Sequence, residues 1–208
     1  MTRPLAVLVN GLPGAGKTTL ARTLSHHLGL PLLSKDIIKE THADVLGIEL
    51  PGWPQRRWNA ALGAAASETM WALLAEAPAG AVLESCWPAD RRGFVKQGLS
   101  RADSPRAVEI WCDVPLETAR RRFEARHSRH PIHGDMLTDD EWERWRHTAR
   151  PLRVGPTLQV DTTRPVDAHA VIAWIQRPDH RSHPGQDLED SIRNLDNPTG
   201  DEAQPEAT

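Results

Sequence analysis

Gly11-Leu12-Pro13-Gly14-Ala15-Gly16-Lys17-Thr18 is the stretch that decides how this chain is read. It fits the pattern G-x-x-x-x-G-K-[ST], whose glycines let the backbone curl until successive N–H groups point at an anion. Its surroundings suit that use. Leu5-Ala6-Val7-Leu8-Val9-Asn10 before it is a short apolar run of buried-strand type, and Thr19-Leu20-Ala21-Arg22-Thr23-Leu24 after it opens a helical pattern. That helix would aim its positive N-terminal end at the same anion. Gly11 to Thr19 therefore form the expected nucleotide-binding set, with Lys17 reaching the β- and γ-phosphates and the Thr18 hydroxyl ligating Mg²⁺.

Outward from this loop, strand-like and helix-like patterns alternate. A first helix over about 17–28 stops at Gly29, and Leu30-Pro31-Leu32-Leu33-Ser34 reads as a second strand. A helix from Ser34 or Asp36 to about Leu46 follows, then a long Ala-rich helix over Trp53 to Ala77. Third, fourth and fifth strands are expected at 80–85, 107–112 and 157–160, and a closing helix at 166–176. Apolar strands separated by helices predict an α/β fold, a parallel sheet covered on both faces. Ligands in such sheets bind at the carboxyl ends of the strands, which is where Asp36, Glu84, Asp113 and Asp161-Thr162-Thr163 fall.

Composition sets the outer bounds. A chain of 208 residues, 39% apolar and 25% charged, suits one soluble domain with a sizeable core. No apolar run approaches the ~20 residues that span a bilayer, and Met1-Thr2-Arg3-Pro4 leads straight into strand, so a cytoplasmic protein without a membrane partner is expected. Cys86 and Cys112 lack C-x-x-C spacing and read as small core residues. The segment 178–208 carries eight acidic residues against Arg181 and Arg193, few apolar residues, and reads as a disordered acidic tail after a domain over 1–177.

Within the domain a few polar residues are placed for chemistry. Asp36, just after the second strand, is the candidate general base for an acceptor hydroxyl, with a helix-cap role as its ordinary alternative. Glu84, at the tip of the third strand, would hold Mg²⁺ through water or touch the acceptor. The run from Arg120 to His130 reads as a helix leading into a lid over about 127–147, in which Arg122 and Arg126, one turn apart, would cover the γ-phosphate and exclude water. His127, His130 and His133 cross a Pro-containing loop without cysteines, a poor zinc pattern. Thr138 or Asp139 is placed to cap a short helix containing Trp142 and Trp145, and Trp53 to line an acceptor pocket.

Together these residues resemble the small phosphate-loop kinases grouped with polynucleotide 5′-kinase, chloramphenicol phosphotransferase and the zeta toxins. The resemblance rests on Gly11 to Thr19, the segment Leu33-Ser34-Lys35-Asp36-Ile37-Ile38-Lys39-Glu40, the strand end Val82-Leu83-Glu84-Ser85 and the Arg122 to His133 lid, and covers about 4–177. It implies a P-loop three-layer sandwich with strand order 2-3-1-4-5, ATP and Mg²⁺ as cofactors, Asp36 facing the acceptor hydroxyl, and the base of ATP near Asp161 to Pro165, with Thr162 among its contacts. The group's acceptors range from nucleic-acid ends to antibiotics and sugar nucleotides. A slightly negative chain without a basic, aromatic stripe favours a hydroxylated small molecule over nucleic acid. No N-K-x-D motif supports a GTPase; sugar-acid or shikimate-type kinases and a non-enzymatic nucleotide-binding module are the remaining alternatives.

Overall fold

Alternating residues of the first strand, β1 (Leu5–Gly11), build two cores at once. In a computed structural model, which describes residues 3–103, 105–125, 130–133 and 137–177, Val7 and Val9 face one side of the sheet and Ala6 and Leu8 the other, all with 0% exposure. The two-residue period of a strand explains the split, and burial on both faces explains why the run is apolar without alternation.

Strands β2 (Leu32–Ser34), β3 (Gly80–Glu84), β4 (Arg106–Asp113) and β5 (Thr157–Asp161) join β1 in one parallel sheet of order β2-β3-β1-β4-β5. On the Val7/Val9 face lie α1 (Lys17–Leu28) and α7 (Ala168–Ile175), which contribute Leu20, Leu24, Val171 and Ile175. On the opposite face lie α3 (Gln55–Ala75) and α4 (Arg92–Arg101), with Met70, Trp71, Leu74, Val95 and Leu99. This is the layered α/β architecture expected, with the strand order that the resemblance implies.

Helix α2 (Lys35–Leu46) leaves β2 and is followed by α3, and the two pack along each other over a small core of Ala43 and Leu62. Helix α3 begins at Gln55 rather than at Trp53. Pro54 occupies its cap position, and the residue before a proline is driven out of helical geometry. Two helices were not expected in their observed form. Helix α4 is charged and holds two glycines, so only Val95, Gly98 and Leu99 mark its buried stripe. Helix α5 (Leu116–Glu124) starts four residues before the expected arginine run. The short helix α6 (Asp139–Thr148) begins as expected at Thr138, whose hydroxyl accepts from the Glu141 N–H while the Glu141 carboxylate accepts from the Thr138 N–H.

Candidate active site

The phosphate loop is closed on itself. The Lys17 ammonium, only 6% exposed, donates to the Leu12 carbonyl oxygen at 2.7 Å, an interaction that a bound phosphate would replace. Burial alone would depress this lysine. The Cys86 sulfur and the Glu84 carboxylate beside it outweigh burial and hold its pKa above the ordinary lysine value. Gly14 has φ +83°, and a Cβ there would collide with the Ala119 carbonyl of α5. The loop is thus pressed against the helix that leads to the lid, and only glycine meets both demands.

At the carboxyl end of β3 the Glu84 side chain is 2% exposed and accepts two hydrogen bonds. One comes from Thr18 Oγ1 to Oε1 at 3.2 Å, the other from Ser34 Oγ to Oε2 at 2.6 Å. Oxygen donors of this kind, a hydroxyl and a carboxylate meeting at the phosphate loop, fit a hard divalent cation such as Mg²⁺. Asp36 lies in the exposed first turn of α2 and makes no hydrogen bond or ion pair with another described residue. Burial pushes the Cys86 thiol up, the Lys17 cation opposes this, and the Asp36 and Glu84 carboxylates reinforce it. Cys86 is only partly buried, which corrects its reading as a core residue. Cys112 is core, 1% exposed, its thiol pushed up to about 12 by burial. One turn past Asp36, Lys39 is pushed down by burial, with the Asp36 carboxylate opposing.

The structure separates the remaining expected site residues. Arg122 is turned to the loop after β5, donating to the carbonyl oxygens of Thr162 at 2.9 Å and Thr163 at 3.4 Å. Thr162 is held by its own hydroxyl and N–H on the Asp113 carbonyl, at 3.0 and 2.9 Å. Asp161 accepts from the Thr163 hydroxyl and N–H and from Arg164; the Thr163 hydroxyl is the main reason its pKa lies below the usual carboxylate range. Trp53 is not brought to Asp36. It carries the Arg57 guanidinium 4.3 Å over its ring and meets Trp58, whose indole N–H donates to the Gly47 carbonyl at the far end of α2. Arg126, His127 and Arg129 of the lid and the tail over 178–208 lie outside the described residues.

What is described of the lid is docked. Glu40 and Asp44 extend the face of Asp36 along α2 at intervals of four residues. Glu40 meets His133 Nε2 at 2.7 Å, and Asp44 meets His130 Nε2 at 2.9 Å. Because His130 Nδ1 accepts from the Ile132 N–H, its proton sits on Nε2, facing Asp44. Ile132, between them, is 0% exposed against Ala43 and Leu62. The histidines are thus pinned to carboxylates, and among the described residues no group of three or more His, Cys, Asp or Glu could hold a metal ion.

Two buried residues of the site framework escaped the sequence reading. Asn10 and Glu109, both 0% exposed, lie in otherwise apolar runs. The Asn10 amide accepts from the N–H groups of Gly11 and Trp87 and donates to the Trp87 carbonyl and to Glu109, which also accepts from the N–H groups of Leu152 and Arg153. Asn10 so ties the start of the phosphate loop to the segment after β3. A polar residue inside a buried-strand run was the available signal.

Comparison with known proteins agrees with this geometry. The model of a family described as "AAA domain" matches residues 7–152. A crystal structure of a presumed kinase from Chloroflexus aurantiacus J-10-fl is 30% identical, with a TM-score of 0.70 over 84% of this chain and 97% of that one. The APS kinase of Mycobacterium tuberculosis, solved with AMPPNP and APS, is 21% identical with a TM-score of 0.53, over 85% of this chain and all of its own, and shares the fold. A shikimate kinase of Thermobifida fusca (strain YX) is 55% identical over 42 residues, 20% of this chain and 24% of its own length. The phosphate loop, the sheet order and the family match converge: the chain belongs to the AAA domain family and has the fold of the small P-loop kinases.

Proposed function

We propose that the protein is an ATP-dependent phosphotransferase that moves the γ-phosphoryl group to a hydroxyl of a small molecule, a metabolite or an antibiotic. The observation that carries this reading is the phosphate loop itself, with Lys17 buried in it and the Thr18 hydroxyl donating to Glu84 at the tip of β3, while Asp36 opens α2 straight after β2 with no hydrogen-bond or ion-pair partner among the described residues. The fold shared with a presumed kinase over nearly all of that chain supports it. So does the short match to a shikimate kinase, a protein named as a kinase of a small molecule.

In this reading the N–H groups of Gly11 to Thr19 cradle the phosphates, and Lys17 exchanges the Leu12 carbonyl for the β- and γ-phosphate oxygens. Thr18 directly, and Glu84 through water, would hold Mg²⁺, which when bound neutralises charge on the β- and γ-phosphates. Asp36 accepts the proton of the acceptor hydroxyl as its oxygen attacks the γ-phosphorus and the bond to the β–γ bridging oxygen breaks, leaving ADP. Arg126, outside the described residues, would meet the γ-phosphate as the sequence reading expects. Arg122, engaged with Thr162 and Thr163, orders the loop near the base. Among the described helices none is long and apolar enough to cross a membrane.

Asp36→Asn keeps the shape and removes the base. ATP affinity by calorimetry should be unchanged, while turnover falls about 10²–10⁴-fold. Full turnover in that variant would remove Asp36 from the mechanism.

A further inference from the structure

We infer that Ser34 is a positioning residue for the metal end of the site: its hydroxyl fixes the Glu84 carboxylate so that the other carboxylate oxygen is held against Thr18. The inference rests on the proposed reading of the site as one for ATP with Mg²⁺, and concerns a residue with no expected part in it beyond starting a helix.

Three observations carry it. Ser34 is the last residue of β2 and lies directly across from Glu84 in the parallel ladder, so the sheet register itself brings the two side chains together. Both are almost completely buried, Ser34 at 3% and Glu84 at 2% exposure, and their contact is the shorter of the two that Glu84 accepts, 2.6 Å against 3.2 Å from Thr18. Finally, Ser34 occupies the cap position of α2, where a serine ordinarily accepts a hydrogen bond from the first turn of its helix. It makes no such bond. The hydroxyl is spent on Glu84 instead.

The consequence is geometric. The terminal torsion of a glutamate is broad and roughly two-fold, so a buried carboxylate held at one oxygen only can swing. Ser34 takes up Oε2 and leaves Oε1 facing the hydroxyl that the phosphate loop offers to a cation. The same bond ties the first turn of α2, which carries Asp36, to the strand tip that carries Glu84. Ser34 touches neither nucleotide nor reacting atoms in this account and acts through Glu84.

The test compares ATP affinity by calorimetry in Mg²⁺ and in EDTA for the wild type, Ser34→Thr and Ser34→Val. Threonine and valine have nearly the same shape and differ in the hydroxyl. The gain in affinity that Mg²⁺ confers should survive in Ser34→Thr and shrink about tenfold in Ser34→Val, as for a lost hydrogen bond to a charged group. Affinity in EDTA should be the same in all three. Adding Ser34→Val to Glu84→Gln should reduce the gain no further. A valine variant that keeps the whole Mg²⁺ gain, or that loses affinity equally in EDTA, overturns the inference and leaves the proposed activity standing. A wild type that gains nothing from Mg²⁺ overturns both.

Discussion

Lys17 shows how one residue can be read at two levels. Its position in the motif made it a phosphate ligand; only the structure shows it parked on the Leu12 carbonyl and held charged by its neighbours. Lys17→Ala should abolish measurable ATP binding in calorimetry, and undiminished binding would overturn the site. Gly14→Ala is expected to cost more than the ~1–2 kcal/mol of a left-handed alanine, because α5 must also move away from the loop; urea denaturation reads the loss. Cys112 gives an alkaline signature. Its pKa rises from 9.0 to about 12 on burial, so the folded state keeps a proton that the unfolded chain loses. Stability is full below about pH 9 and is lost progressively up to about pH 12, by about 1.4 kcal/mol at pH 10. Cys112→Ala should flatten that limb in urea titrations at pH 8 and 10. Motif residues were legible because they are contiguous. The Ser34–Glu84 and Asn10–Glu109 bonds were not, since each depends on a strand pairing that sequence spacing does not contain.

At the scale of elements, the strands were the most legible part, being apolar runs buried on both faces. Helix α4 was hidden by its glycines and charges, and its Gly98 is explained only by the Trp71 ring lying against it. Lid residues were recognised as basic and loop-like, but their docking on α2 is tertiary: His130 and His133, a poor zinc pattern in the sequence, are partners of Asp44 and Glu40. Ile132 is the apolar anchor of that contact, while few other packed residues hold the segment. Ile132→Ala should therefore release 130–133 locally, with faster amide exchange there by mass spectrometry and little change in Tm. Unchanged exchange would show that the histidine pairs suffice.

For the whole molecule, the sheet order places β1 between β3 and β4, so the phosphate loop, the Glu84 tip and the end of β4 all lie at the carboxyl end of the parallel strands. Helix α2 starts at that end, with Asp36 in its first turn, and residues 130–133 dock on it further along. In the proposed reading the nucleotide side is the loop from Gly11 to Thr19, and no motif spells out the chemistry of the acceptor side. The most direct test is transfer of label from γ-labelled ATP, with Mg²⁺, to a panel of sugars, hydroxy acids, nucleosides, hydroxylated antibiotics and 5′-hydroxyl oligonucleotides, with free phosphate counted alongside. The account predicts a labelled small-molecule acceptor, formed by the wild type and lost in Asp36→Asn. Free phosphate alone, released equally by both proteins, would contradict it.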